Sequence, residues 1–260
     1  MELGLTGKTA IITGGSEGIG AVTAALLAAE GCDVAIGARR EGLLHETAAA
    51  IQAATGREPL ALPTDVMSAE DCSALVRATV DRFGGVDILV NNAGASSAAP
   101  FEEVGDSLWQ EDLDLKLYGA IRMARQCLPS MRERGSGRVI NVLNIGAKQP
   151  GAGSMPTSVS RAAGLALTKA MSRDLAKDQV LVNAVCIGSI KSAQWGRFRE
   201  RLAPDRTEAE FLAQVGQNIP LGRIGETEEA ANLIVFLASQ AASFITGTAI
   251  NVDGGASGTW

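Results

Sequence analysis

Short apolar runs alternate along this chain with longer stretches whose apolar residues recur at helical spacing. Residues 8–13 (KTAIIT) form an apolar run that ends in glycines, and Val22, Ala25, Leu26 and Ala29 then share one helical face as far as Gly31. Residues 33–38 (DVAIGA) and 60–62 predict two more strands, the second closed by Pro63, Thr64 and Asp65, with a helical segment between them up to about Gly56. Ser68 is placed to cap the next helix, with Glu70 and Asp71 in its first turn. Further strands are predicted at 87–90, 139–142, 180–186 and 248–252. Helices are predicted over most of 106–134, after Pro156 at a position near N1, in pieces across 192–217, and over 226–239. Strands that alternate with helices imply a parallel sheet covered on both faces, and right-handed crossovers make it doubly wound. The expected architecture is a Rossmann-type α/β domain. No repeat or linker divides residues 1–260, so one domain is expected.

Bulk properties narrow the function. A chain of 260 residues suits one α/β core, and 46% hydrophobic with 20% charged residues is an ordinary globular balance. The net charge of -6 argues against nucleic acid, which is bound through Lys and Arg. No apolar run approaches the roughly 20 residues of a membrane span, and the start lacks the pattern of a signal peptide. Cys32, Cys72, Cys127 and Cys186 are scattered without metal-type spacing, so reduced buried thiols and a cytoplasmic location are expected, with no metal.

The first strand runs into Thr13-Gly14-Gly15-Ser16-Glu17-Gly18-Ile19-Gly20 and then into a helix. Glycines there let the backbone approach a pyrophosphate, whose charge rests on the helix N-terminus. TGGSEGIG resembles the TGxxxGIG loop of the short-chain dehydrogenase/reductase family, and Asn91-Asn92-Ala93-Gly94 resembles its NNAG motif. Asp65-Val66, Gly247-Thr248 and Asp253-Gly254-Gly255 match further family positions, so the resemblance runs from about Lys8 to Gly255. It implies a seven-stranded parallel sheet, a nicotinamide cofactor, and a homotetramer or homodimer. It also implies cofactor contacts from Gly14, Ser16, Glu17, Gly18, Ile19, Gly20, Asp65, Val66, Asn92, Ala93 and Gly94. Ile187-Gly188-Ser189-Ile190-Lys191-Ser192 is similar to the family's PGxxxT segment, so Gly188, Ile190 and Ser192 are expected at the nicotinamide carboxamide.

Arg39 and Arg40 follow the second strand, where an acid would hold the ribose 2′-hydroxyl of NAD. Guanidinium pairs with phosphate, so NADP(H) is favoured over NAD(H), with Glu17 weighing on the other side.

The family's chemistry uses Asn, Ser, Tyr and Lys, and all four positions differ here. The Ser position falls on Asn144, YxxxK on Thr157 to Arg161, and the Asn near Lys116. Thr157, Ser160, Arg161 and Gly164 lie at i, i+3, i+4 and i+7, hence on one helical face. Asn144 can donate a hydrogen bond to a substrate oxygen, and Arg161 can bind cofactor ribose hydroxyls. Thr157 is far too weak an acid to replace a phenol. Lys116, if it enters the pocket beside Arg161, is the candidate proton donor, and Lys148 is a second candidate from the loop. Tyr118 lies around the helix from Lys116 and is expected to pack, while His45 is expected at the surface.

The segment at about 191–218 corresponds to the family's lid. Its Trp195, Phe198 and Phe211, mixed with Arg197, Arg199 and Arg201, suggest a small-molecule substrate that is aromatic or anionic. The expected activity is an NADP(H)-preferring interconversion of a carbonyl and an alcohol by an atypical site. The alternatives are a cofactor-binding lyase or isomerase with Lys116 or Lys148 as base, and a catalytically inactive nucleotide-sensing subunit.

Overall fold

The computed structural model describes residues 2–260. Seven strands, β1 (Thr9–Thr13), β2 (Asp33–Ala38), β3 (Leu60–Pro63), β4 (Ile88–Asn91), β5 (Gly137–Asn144), β6 (Val180–Ile187) and β7 (Ala249–Val252), form one parallel sheet in the order β3-β2-β1-β4-β5-β6-β7. The helices are α1 (Gly18–Ala29), α2 (Glu41–Thr55), α3 (Ala69–Phe83), α4 (Asp106–Leu113), α5 (Gly119–Glu133), α6 (Thr157–Asp174), α7 (Gln194–Leu202), α8 (Glu208–Gly216) and α9 (Thr227–Ala238). This is the doubly wound Rossmann-type sheet that the alternating pattern predicts.

Side chains of a strand point to opposite faces in turn, and a parallel sheet covered on both sides buries both sets. Ala10, Ile12, Val34, Ile36, Ile88 and Val90 accordingly pack with Ala24 and Leu27 of α1 and Ile234 of α9. Their neighbours Ile11, Ala35, Leu89 and Val139 pack on the other face with Leu75 of α3 and Met123 and Met131 of α5. Ser68 caps α3 by accepting from the Asp71 amide, as predicted.

Three local features differ from expectation and bear on the site. β5 continues past Val142 to Asn144, because its pairing with β6 runs on to Asn144 opposite Ile187. Pro156 stands just ahead of α6, whose first residue is Thr157. The segment predicted as one helix over 106–134 holds a π-helical turn at Asp114–Tyr118 between α4 and α5. Such a turn inserts a residue into the i→i−4 ladder and re-aims the side chains beyond it. Arg122 steadies it, donating to the Asp114 carboxylate at 3.0 Å and to the Asp114 carbonyl at 3.4 Å.

Ile36 is fully buried under the loop that follows β1, so Ile36→Ala is expected to lower stability by about 2–5 kcal/mol. Urea unfolding checks this, with the midpoint falling and the slope unchanged.

Candidate active site

Strand order reverses direction between β1 and β4, and in open α/β sheets ligands bind at the carboxyl ends beside such a point. The two loops meet there. Asn92 donates from its amide nitrogen to the carbonyls of Thr13 and Gly14, both at 3.1 Å, and its backbone N–H donates to the Thr13 hydroxyl at 3.1 Å. Asn92 therefore holds the loop in shape. Gly14 has φ +66°, and a Cβ there would lie 2.9 Å from the Asn92 amide nitrogen. A Cβ on Gly20 would collide with the Gly14 carbonyl. On the outer side Gly18 is open, with nothing within 4 Å of an added Cβ. No side chain caps α1, so its leading amides are left for an anion. Ile19 and Ser16 are buried behind the loop, and Thr47 donates to the Ser16 carbonyl at 2.8 Å.

Around this cradle stand the other residues expected to contact a cofactor. Arg39 and Arg40 are exposed at the end of β2, and Arg39 makes no ion pair among the described residues. Arg40 forms an ion pair with Glu17, so the acid counted against a 2′-phosphate is offset by a cation. Val66 is buried, and the Asp65 carboxylate accepts from the Met67 amide at 3.0 Å. On the far side, the Gly188 amide donates to the Val252 carbonyl at 2.9 Å. The Ile190 carbonyl accepts from the Trp195 indole at 2.7 Å, and the Ser192 carbonyl accepts from the Trp195 amide at 3.1 Å. An open glycine loop and uncapped helix amides fit the pyrophosphate of a dinucleotide, with a cation standing at the end of β2.

The altered catalytic positions come together at the carboxyl end of β5. Lys116 sits in the π-turn and is buried, with only 7% of its surface exposed. Its ammonium pairs with Asp112, one helical turn earlier and itself buried, and donates to the Thr157 hydroxyl at 2.8 Å. Ser160 donates to the other Asp112 oxygen at 2.5 Å. Arg161 donates through Nη1 to the Val142 carbonyl at 2.5 Å, and its Nη2 end reaches over Gly94, where an added Cβ would lie 2.7 Å from it. Burial, and then the Arg161 guanidinium, push the Lys116 ammonium down to about 8 against the pull of Asp112. Lys116 is still mostly protonated at neutral pH, yet is much readier to release a proton than a solvated lysine. Asn144, at the end of β5, has a buried amide oxygen without a donor, and its amide nitrogen makes no hydrogen bond among the described residues.

Two loops link Thr157, through Ser97, to the wall of a large cavity. Ala99 and Met155 pair across them, at 2.9 and 3.3 Å, and this sets the Ser97 amide 3.0 Å from the Thr157 hydroxyl. Ser97 also lines a cavity of about 940 Å³ whose opposite wall carries Trp195, Phe198 and Phe211 from α7 and α8. Trp195 meets both Phe rings edge-on, at 5.6 and 6.2 Å. Arg201 and Arg206 stand on the rim, and neither pairs with a carboxylate among the described residues.

Other candidates fall outside the site. Lys148 is engaged elsewhere: its ammonium donates to the Ala249 carbonyl at 2.7 Å and to Asn251 at 2.6 Å, fastening the loop after β5 to β7. Tyr118 is 46% exposed under the Arg122 guanidinium, and His45 is exposed on α2 beside Glu41. The cysteines are buried and unpaired, and no metal-binding cluster occurs among the described residues. No described helix is long and apolar enough to cross a membrane. Sequence reasoning missed Asp112, although an acid four residues before Lys116 on one helix was a visible signal. It also missed Ser97, which only the pairing of two distant loops brings in.

Comparison with known proteins bears on this geometry. The sequence profile of the family described as enoyl-(acyl carrier protein) reductase matches residues 14–257. An acetoacetyl-CoA reductase of Rhizobium meliloti is 37% identical over 95% of this chain and 98% of its own length. The structure of L-sorbose reductase from Gluconobacter frateurii, complexed with NADPH and L-sorbose, superposes with a TM-score of 0.96 at 36% identity, covering 100% of both chains. An NADPH-bound short-chain oxidoreductase from Pseudomonas aeruginosa, described as containing an atypical catalytic center, superposes with a TM-score of 0.92 at 35% identity, over 99% of this chain and 100% of that one. With its glycine loop, sheet order and near-complete alignment to these reductases, the chain belongs to the short-chain dehydrogenase/reductase family and is an oxidoreductase.

Proposed function

We propose that this chain is an NADP(H)-preferring reductase and dehydrogenase of carbonyl and alcohol groups, in which Lys116 is the source of the proton. The observation that carries this reading is the buried ammonium of Lys116, which donates to the Thr157 hydroxyl held by the cavity-lining Ser97. NADPH supplies hydride transfer when bound. The loop of Gly14, Ser16, Gly18 and Gly20 holds the pyrophosphate, Arg39 the 2′-phosphate, and the free Nη2 of Arg161 a ribose hydroxyl. Asn144 donates to the substrate oxygen and orients the carbonyl. The relatives with bound NADPH support the choice of cofactor.

The cavity supports a substrate class. Its wall is aromatic, and Arg201 and Arg206 at the rim lack carboxylate partners among the described residues, which suits a carbonyl compound with an apolar body and an anionic end. The segment of α7 and α8 then acts as a lid on a single domain. The family's common assembly supports a homo-oligomer, and the free thiols favour the cytoplasm.

Mixing the protein with NADPH and a panel of ketones and aldehydes is expected to bleach the nicotinamide absorbance above the rate without protein. Binding of NADPH with no oxidation across the panel overturns the redox reading. Arg39→Glu is expected to weaken NADPH by about 10-fold or more in a fluorescence titration while changing NADH far less. For a substrate with a terminal carboxylate or phosphate, the double substitution Arg201→Ala, Arg206→Ala is expected to raise KM by about 10-fold with kcat retained. Equal KM values for anionic and neutral substrates in the parent protein contradict the assigned class.

A further inference from the structure

We infer that Thr157 hands the proton to the substrate oxygen as the end of a relay from Lys116, and that Asp112 and Ser160 are the positioning residues that hold Lys116 against it. This rests on the redox reading above.

The Thr157 hydroxyl accepts two hydrogen bonds, from the Lys116 ammonium at 2.8 Å and from the Ser97 amide at 3.0 Å. A hydroxyl has two acceptor lone pairs and one proton, so both lone pairs are in use. Its own proton has no acceptor among the described residues, although Thr157 is only 6% exposed. A buried donor with nothing to donate to is unfavourable unless a ligand supplies the acceptor. That proton is a free polar valence at the centre, and Ser97 beside it lines the cavity.

Threonine alone is too weak an acid for this task. The ammonium on its oxygen changes that, because charge that builds on Oγ as the proton leaves is met by a proton arriving from Nζ. The step balances as follows. The carbonyl carbon accepts a hydride, with its two electrons, from NADPH. The carbonyl oxygen takes the Thr157 proton, Thr157 Oγ1 takes a proton from Lys116, and Lys116 is left a neutral amine. One carbonyl, one NADPH and one proton become one alcohol and one NADP⁺. After product leaves, water in the cavity reprotonates Thr157 and, through it, Lys116. Alcohol oxidation runs the same chain backwards.

The charged groups acting on Lys116 are Asp112 from α4 and Arg161 from α6, with Thr157 and Ser160 as neutral neighbours. Asp112 holds one N–H of the ammonium, and Ser160 holds Asp112 by its other oxygen at 2.5 Å. Without Asp112 the ammonium faces Arg161 alone, and its titration moves to lower pH.

The test pairs kinetics with a readout independent of turnover. Thr157→Val is expected to lower the rate of carbonyl reduction by about 100-fold with NADPH binding retained, and Thr157→Ser to stay within about 10-fold of the parent. If Thr157→Val retains the parent rate while Lys116→Met loses it, Lys116 donates directly and the relay is wrong. Carbon-13 NMR of the lysine ε-methylene follows Lys116 with or without activity. Its midpoint is expected near 8 in the parent and lower in Asp112→Asn and in Thr157→Val. A parent that binds NADPH but reduces nothing removes the redox reading. The clamp on Lys116 then stands or falls on these midpoints, and unmoved midpoints in both variants overturn it.

Discussion

A lysine ammonium taken out of water between two helices is the constraint on which this site depends. Desolvating an ion costs several kcal/mol even after relaxation, and a partner charge offsets that only in good geometry with further hydrogen bonds. Lys116 meets the requirement through Asp112 on its own helix and Thr157 on α6, and Asp112 meets it through Ser160. This arrangement needs the π-turn that aims Lys116, the register of α6 that puts Thr157 and Ser160 on one face, and the loop pairing at Ala99 and Met155. Arg161 completes it, filling the space over Gly94 and bringing a second positive charge near the first. Two cations and one carboxylate in a buried cluster leave Lys116 ready to release a proton.

The nucleotide half of the molecule follows ordinary rules for an open parallel sheet. Glycines permit the close approach of β1 and β4 at the switch point, and Asn92 ties the two loops together. The other half carries different residues at the positions that resemble the family's tetrad. In the proposed relay a lysine acts on Thr157 from the helix before β5, whereas the family's lysine comes from the same helix as its proton donor.

Much of this was legible in the sequence. The alternation of apolar runs and helical spacing specifies the sheet, since each strand must bury both faces and each helix one. The loop from Thr13 to Gly20 was recognisable because phosphate binding restricts residue types locally, within one strand-turn-helix unit. The face shared by Thr157, Ser160 and Arg161 was readable from helical period alone. What could not be read depends on non-local geometry. Whether Lys116 turns inward depends on a local change of helix type that no residue pattern in DLDLKLYG announces. Lys148 stood as a second candidate after Lys116, and only the approach of β7 fastens it to Asn251. Ser97 enters because two loops far apart in the chain pair across the cavity mouth.

The central claim is that a buried, readily released proton on Lys116 supports reduction. The most direct measurement is the single-turnover rate of NADPH oxidation by stopped flow, as a function of pH, with a ketone the protein reduces. Reduction needs Lys116 protonated, so the rate is predicted to be level at neutral pH and to fall as one proton is lost through a midpoint near 8. A rate that stays level until the ordinary lysine value of 10.5 contradicts the account, because the proton would then come from a group other than the buried Lys116.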